Sequence, residues 1–401
     1  MTVRLSRRVT RMQPSASIAA KQRVTELQAQ GKEIIDFTIG EPDMDTPAHI
    51  VQGAIDAMRG GDTHYTPTAG VAPLRQAIAD KLRRDAGHDY TAAQVIVGSG
   101  AKQLINESFA ATLDDGDEVI VPAPYWVSYP DIVTLYDGVP VVVPTTAAND
   151  FKLTPQALAA ALTPRTRWVV LNAPGNPGGA IYTRDELRAL ADVLAGHPEV
   201  MVMTDDIYEY LAYDQHRHVN LVAAAPELAA RTLLINGFSK SYAMTGWRIG
   251  YAAGPQALIN AMGKLIGQST TCVSSIAQAG ALTALKGDQE FIEETRQVYE
   301  HRRDVMHKAV SAIPGVDCRL PQGAFYLFPS VQALLGKRTP GGQVVADDRD
   351  LVMYLLDEAG VAVMDGSAYG MPGHLRLSFA TSLQTIERGC ARMAQACARL
   401  A

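Results

Sequence analysis

Asn236-Gly-Phe-Ser-Lys-Ser-Tyr-Ala-Met-Thr-Gly-Trp-Arg-Ile-Gly250 joins two short apolar, β-branched runs, residues 232–236 and 249–252, and sets one lysine between two serines, eight residues before an arginine. Both runs read as strands. The segment between them carries chemistry: a lysine amine can leave water, lose its proton and condense with an aldehyde, which the always-charged guanidinium cannot do. Lys240 is therefore the candidate nucleophile. Ser239 beside it and the fork of Arg248 suit a phosphate dianion, which arginine grips through paired charge-assisted hydrogen bonds. Taken alone, Ser-Lys reads equally well as a solvated loop, because most lysines are exposed.

The same pattern recurs along the chain. Runs at 94–97, 118–121, 139–143, 168–171 and 200–204 join the two above, separated by amphipathic stretches such as 184–195. Apolar runs of four to six residues alternating with helical patterns predict βαβ units on a mainly parallel sheet, an α/β fold. Residues 336–350 read as a loop, 351–359 as a helix, and 375–379 as a strand before a final helix. No internal repeat or low-complexity tract is present.

At 401 residues the chain suits two domains. Hydrophobic residues at 47% and charged ones at 19% describe an ordinary globular protein, and a net charge of -6 gives no reason to expect nucleic acid or an anionic membrane as partner. No apolar stretch reaches the ~20 residues that a spanning helix needs. The four cysteines, Cys272, Cys318, Cys390 and Cys397, show no paired spacing; the last two, on one predicted helix, would stand about 10 Å apart, too far for a disulfide. Reduced thiols and a cytoplasmic protein without a metal site are the expectation. The first 25 residues are basic and free of acids, as in a transit peptide, but no apolar core or cleavage site follows.

The segment around Lys240 resembles the signature of class I pyridoxal-phosphate (PLP) aminotransferases, Ser-Lys-x-Tyr-Ala-Met-Thr-Gly-Trp-Arg-Ile-Gly. The match continues in order through Leu5-Ser-Arg-Arg-Val9, Gly40-Glu-Pro-Asp43, Pro124-Tyr-Trp-Val-Ser-Tyr129 and Arg376-Leu-Ser-Phe-Ala-Thr-Ser382. It implies a fold-type I enzyme with a Schiff base between Lys240 and the cofactor. Its large domain would hold a mainly parallel seven-stranded sheet, beside a smaller α/β domain. The implied boundaries are 1–45 for an N-terminal arm and part of the small domain, 46–295 for the large PLP-binding domain, and 296–401 for the C-terminal small domain. The basic N-terminus then becomes a structured arm.

Other candidates follow from residue chemistry and are assigned by the resemblance. Gly98-Ser-Gly-Ala-Lys-Gln103 ends a predicted strand and opens a predicted helix, where free N–H groups make an anion site. Read blandly it is a turn; beside Ser239 and Arg248 it puts Gly100 and Ala101 at the cofactor phosphate. Asp205 and Asp206 end a predicted strand at the sheet's carboxyl edge, the usual place for active-site groups. The resemblance gives Asp205 the pyridinium nitrogen, keeping the ring an electron sink, and Tyr208 the ring O3′. Asp206, where relatives more often carry Glu, is expected to face outward. Asn172-Ala-Pro-Gly-Asn-Pro-Gly-Gly179 is turn chemistry by composition. By resemblance Asn176 reaches O3′ and the substrate carboxylate, and Gly178 stands where relatives often have Thr. Trp126 would cover the pyridine ring, Gly40 would give a close backbone approach to the substrate, and Tyr65 would reach the phosphate of a neighbouring subunit in a homodimer with shared sites. Arg376, between Leu375 and Leu377 on a predicted strand, carries a costly charge unless a carboxylate meets it. The resemblance makes it the clamp on the substrate α-carboxylate, against the plain alternative of a structural ion pair.

Lys102 occupies the position that, in bacterial aspartate aminotransferases of this family, supplies a cation for the side-chain carboxylate; the alternative is an exposed first-turn lysine. The implied reaction moves the amino group of L-aspartate to 2-oxoglutarate by a ping-pong mechanism, forming oxaloacetate and L-glutamate. Aromatic, prephenate or broad-specificity aminotransferases and carbon–sulfur β-lyases share the cofactor site. Relatives that use prephenate tend to carry Lys and Thr where this chain has Gln13 and Ser17. A PLP-binding regulator would need an N-terminal DNA-binding domain, for which a match beginning near Leu5 leaves no room.

Overall fold

In a computed structural model, which describes residues 3–11 and 17–401, all seven expected runs are strands of one sheet. They are β1 (Val95–Gly98), β2 (Glu118–Ala123), β3 (Val139–Pro144), β4 (Thr166–Asn172), β5 (Met201–Asp205), β6 (Thr232–Gly237) and β7 (Gly250–Ala253). Their order across the sheet is β1-β7-β6-β5-β4-β2-β3. β7 runs antiparallel to both neighbours, and every other pairing is parallel.

Alternation along each strand feeds two apolar layers. Ile96, Val119, Val121, Val170, Met203, Leu233 and Ile235 pack on one face with Leu104, Ile105 and Phe109 of helix α1 (Ala101–Ala110). The intervening Ile120, Val169, Leu171 and Val202 pack on the other with Leu187, Leu190 and Leu194 of α2 (Arg184–Leu194). Burial on both faces explains why the strands are nearly continuous apolar runs. Thr183 and Glu186 close a reciprocal capping box at the start of α2, satisfying N–H groups that a helix start leaves open.

A second core gathers the chain's two ends. Ile35 and Asp36 pair in parallel with Val361 and Ala362, so Ile35 and Phe37 share a core with Phe325, Leu377 and Ile386. Met364–Asp365, Leu375–Ser378 and Tyr326–Leu327 form a three-stranded antiparallel sheet beside it. The 22-residue helix α3 (Glu290–Ser311) links the two cores: Ile292 packs against the large-sheet side, Tyr299 and Met306 within the second core. It passes position 295 unbroken.

One boundary moves. The helix expected at 351–359 begins earlier, as Asp348–Tyr354, and its final turn, Leu355–Ala359, is a π-helix. Asp347 sets the start: its carboxylate accepts from the N–H groups of Arg349 and Asp350. Cys390 and Cys397 lie buried on the last helix, Leu383–Cys397, and all four cysteines are free thiols. Among the described residues no helix is long and apolar enough to cross a membrane, and no cluster of three or more His, Cys, Asp or Glu is placed to hold a metal.

Candidate active site

A cavity of about 580 Å³ opens where the strands of the large sheet end and the second core begins. Gly40, Ala101, Lys102, Trp126, Asn176, Asp205, Tyr208, Ser239, Lys240, Arg248 and Arg376, all singled out from sequence, line it. Gly100 is not among the lining residues, but an added Cβ there would meet Arg248, which is. Tyr65 does not reach it and is 90% exposed. Gln13 falls outside the described residues.

Lys240 sits on the loop between β6 and β7, and its Nζ donates to the carbonyl of Gly40. Burial brings its pKa down to about 8; Arg376 and Arg248 push the same way, against Glu41 and Asp205. Asp205 ends β5 and is 4% exposed. Burial raises it to about 6, although Tyr129 Oη donates to its Oδ2 at 2.5 Å and Ile207 N–H to its Oδ1 at 3.3 Å. Amine and acid are thus both drawn toward neutral pH, where proton-transfer groups work best.

Arg376 is 7% exposed and held between two rings, its guanidinium carbon 4.5 Å from the Tyr326 centroid and 5.1 Å from that of Tyr369. Nη2 donates to Thr38 O at 2.7 Å and Nη1 to Asn176 Oδ1 at 3.2 Å, while the buried Nε–H has no partner. Among the described residues no carboxylate lies within ion-pair reach, so the structural ion pair considered from sequence is absent. A buried guanidinium without an anion calls for one from outside.

Near the start of α1, Arg248 takes a left-handed backbone conformation (φ 52°) that lets Nη1 donate to Thr245 O at 2.8 Å. Its guanidinium lies over Gly100, where φ is 82° and an added Cβ would come 2.5 Å from Nη2. The positive φ favours glycine, and a side chain there would displace the Arg248 guanidinium. With Ser239 and the first N–H groups of α1, this corner gathers donors that could receive a dianion. Lys102 Nζ stands 4.7 Å over the Trp126 ring, and burial lowers its pKa, with Arg248 adding to the effect and Asp131 opposing it.

Sequence reading missed several participants. Tyr129 holds Asp205; Asn172 Nδ2 donates to the Asp205 carbonyl while its Oδ1 accepts from Asn176 N–H. Tyr326 Oη lies 2.9 Å from Tyr208 Oη, and Glu41 accepts from Thr245 Oγ1. Tyr129, Asn172 and Glu41 lie inside stretches quoted from sequence, yet the bonds of Tyr129 to Asp205 and of Glu41 to Thr245 cross 76 and 204 positions; the Tyr129 and Trp126 rings meet edge to face, centroids 5.2 Å apart. One expectation fails outright. Asp206 does not face outward: it is 3% exposed, and Asn220 Nδ2 donates to it at 2.6 Å.

The family model for aminotransferase class I and II matches residues 32–393. The chain belongs to the class I PLP aminotransferases. The aspartate/prephenate aminotransferase of Cereibacter sphaeroides is 47% identical over 396 residues, 99% of both chains. The crystal structure of the aspartate aminotransferase from Rhizobium meliloti superimposes with a TM-score of 0.98 at 44% identity, covering 100% of each chain. The Thermus thermophilus aspartate aminotransferase solved with maleate gives 0.91 at 40%, covering 98% of this chain and 100% of that one. The mixed seven-stranded sheet with its smaller α/β companion is the fold-type I architecture of this aminotransferase family.

Proposed function

We propose that the protein is a PLP-dependent aminotransferase that moves the amino group of L-aspartate to 2-oxoglutarate, forming oxaloacetate and L-glutamate. The observation that carries this reading is that Arg376 and Lys102, two cations with no carboxylate in ion-pair contact among the described residues, line the same cavity as the depressed amine of Lys240. A monocarboxylic substrate would leave one of them unmet. The resemblance to a relative solved with maleate, a dicarboxylate, agrees.

PLP, when bound, supplies an aldehyde and an electron-withdrawing ring that spreads the negative charge left when Cα loses its proton. Arg248, Ser239 and the first N–H groups of α1 would hold its phosphate, and Asp205 would hold a proton on the ring nitrogen. Tyr129 and Ile207 keep the Asp205 carboxylate aimed. Arg376, oriented by Asn176 and Thr38 O, would bind the substrate α-carboxylate through its unpaired Nε–H. Lys240 Nζ, largely neutral once pH passes about 8, would take the Cα proton as base and, from the same face, return it at C4′ of the cofactor. Trp126 would shield that transfer from water.

The test is Lys102→Ala. A charge-assisted hydrogen bond to the distal carboxylate contributes on the order of 1.5 to 3 kcal/mol, so kcat/KM for aspartate should fall about ten- to a hundredfold. Alanine and phenylalanine turnover should barely change. Equal loss on every substrate would contradict the assignment and point to a damaged phosphate cradle. The relatives' names favour prephenate as a second acceptor, a reading that the same assay tests by offering prephenate in place of 2-oxoglutarate.

A further inference from the structure

Directly behind Asp205 lies a buried charged group that no step above uses. Asp206 turns to the opposite side of β5, where Asn220 Nδ2 donates to its Oδ2 and His218 Nε2 lies 3.3 Å from the same oxygen. His218 keeps 11% of its side chain exposed, yet both ring nitrogens are shut off from solvent and neither has a well-aligned hydrogen bond. Either protonation state leaves Nδ1 unmet, and only the imidazolium adds an ion pair with the Asp206 carboxylate. The other charges near His218 are Glu209 and Lys81, which bond each other, Lys81 also lying 3.4 Å from Asp85. The hydroxyls of Tyr90, Tyr129 and Tyr251 also feel the Asp206 charge.

We propose that His218, as an imidazolium paired with Asp206, is a positioning residue that cancels the second carboxylate beside Asp205, so that Asp205 keeps its own charge for the cofactor ring. The inference rests on the reading of the cavity as a PLP site. Two adjacent buried carboxylates repel, and an uncompensated Asp206 would drive a proton onto Asp205. In the PLP-loaded protein a protonated Asp205 would no longer present a carboxylate to hold a proton on the ring nitrogen. Burial opposes a charge on His218, but Asp206 and Glu209 together outweigh burial and Lys81, and the imidazole titrates above its ordinary value.

The experiment follows the carboxyl signal of Asp205 and the imidazole signal of His218 by NMR in the full-length protein before PLP is added, then kcat with PLP. In the unmodified protein His218 should titrate above ~6.5. His218→Gln should raise the Asp205 dissociation midpoint by about one pH unit, a tenfold change in its constant, and lower kcat about tenfold with KM little changed. His218→Gln combined with Asp206→Asn removes both charges and should restore the Asp205 midpoint and most of kcat. A His218 midpoint below ~6.5, an Asp205 midpoint indifferent to His218→Gln, or a double variant as impaired as the single one would overturn the proposal. Failure of the unmodified protein to take up PLP would instead defeat the reading of the cavity, and the titrations of the PLP-free protein would still decide the ion pair.

Discussion

Asp205 is held in a state that costs the folded protein free energy until a cation arrives. Its folded pKa of about 6 exceeds the ~3.9 of an unfolded chain, so the folded state binds more protons and loses stability as pH rises through that window. Above pH 6 the full penalty, up to roughly 3 kcal/mol, is present. Asp205→Asn should therefore stabilise the PLP-free protein at pH 7.5 while removing most of kcat. The gain should be on the order of 1 kcal/mol, less than the full penalty, because the amide oxygen can accept from Ile207 N–H but its NH2 then faces Tyr129 Oη, which loses the carboxylate it donates to. Thermal unfolding checks this: the variant's advantage should shrink toward pH 4, and a variant less stable at every pH would contradict it. Residues with this chemistry were legible because Lys240, Asp205, Arg248 and Arg376 stand in long local patterns. Tyr129 was not, because its partner is 76 residues away. Asp206 was misread for a related reason: alternation puts it opposite Asp205, but in a sheet covered on both faces the opposite side is another interior.

The seven strands could be read from sequence because burial on both faces makes each a compact apolar run. Their order and the reversed direction of β7 could not, since nothing local to 250–253 records which neighbours it meets. The helix start at Asp348 was lost to a cap that looked like loop composition. The β1–α1 turn was read from sequence as an anion site, and the glycine lying beneath Arg248 there is a structural result. Gly100→Ala would force both a strained φ and a displaced Arg248. PLP affinity, measured by absorbance titration, should fall about tenfold or more, matching the loss of a hydrogen bond between charged groups. Unchanged affinity in a folded variant would remove Arg248 and this turn from the cradle.

The cavity draws on both cores: Thr38, Gly40, Tyr326, Tyr369 and Arg376 come from the second, while Lys102, Asp205 and Lys240 come from the large sheet. That the chain's two ends meet is invisible locally, because Ile35 finds its partner at Val361. Tyr65, 90% exposed and outside its own cavity, is the residue whose assigned role needs a second copy. If sites are shared in a homodimer, Lys240→Ala and Tyr65→Phe proteins, each impaired alone, should regain activity in one site of each mixed dimer. Native mass spectrometry of the mixture, with one variant isotope-labelled, would establish subunit exchange, and no gain despite exchange would mean that each chain's site is complete by itself.

Amino transfer from a dicarboxylic donor is what Lys240, Arg376 and Lys102 are together expected to support. The PLP-loaded protein, mixed with L-aspartate and no acceptor, should pass to the pyridoxamine form in a single turnover and release one equivalent of oxaloacetate. L-glutamate should behave likewise, and alanine, phenylalanine, cystathionine and arginine should react at least about tenfold more slowly, as a single charge-assisted contact at Lys102 requires. No conversion with aspartate, or faster conversion with alanine or phenylalanine, would contradict that expectation.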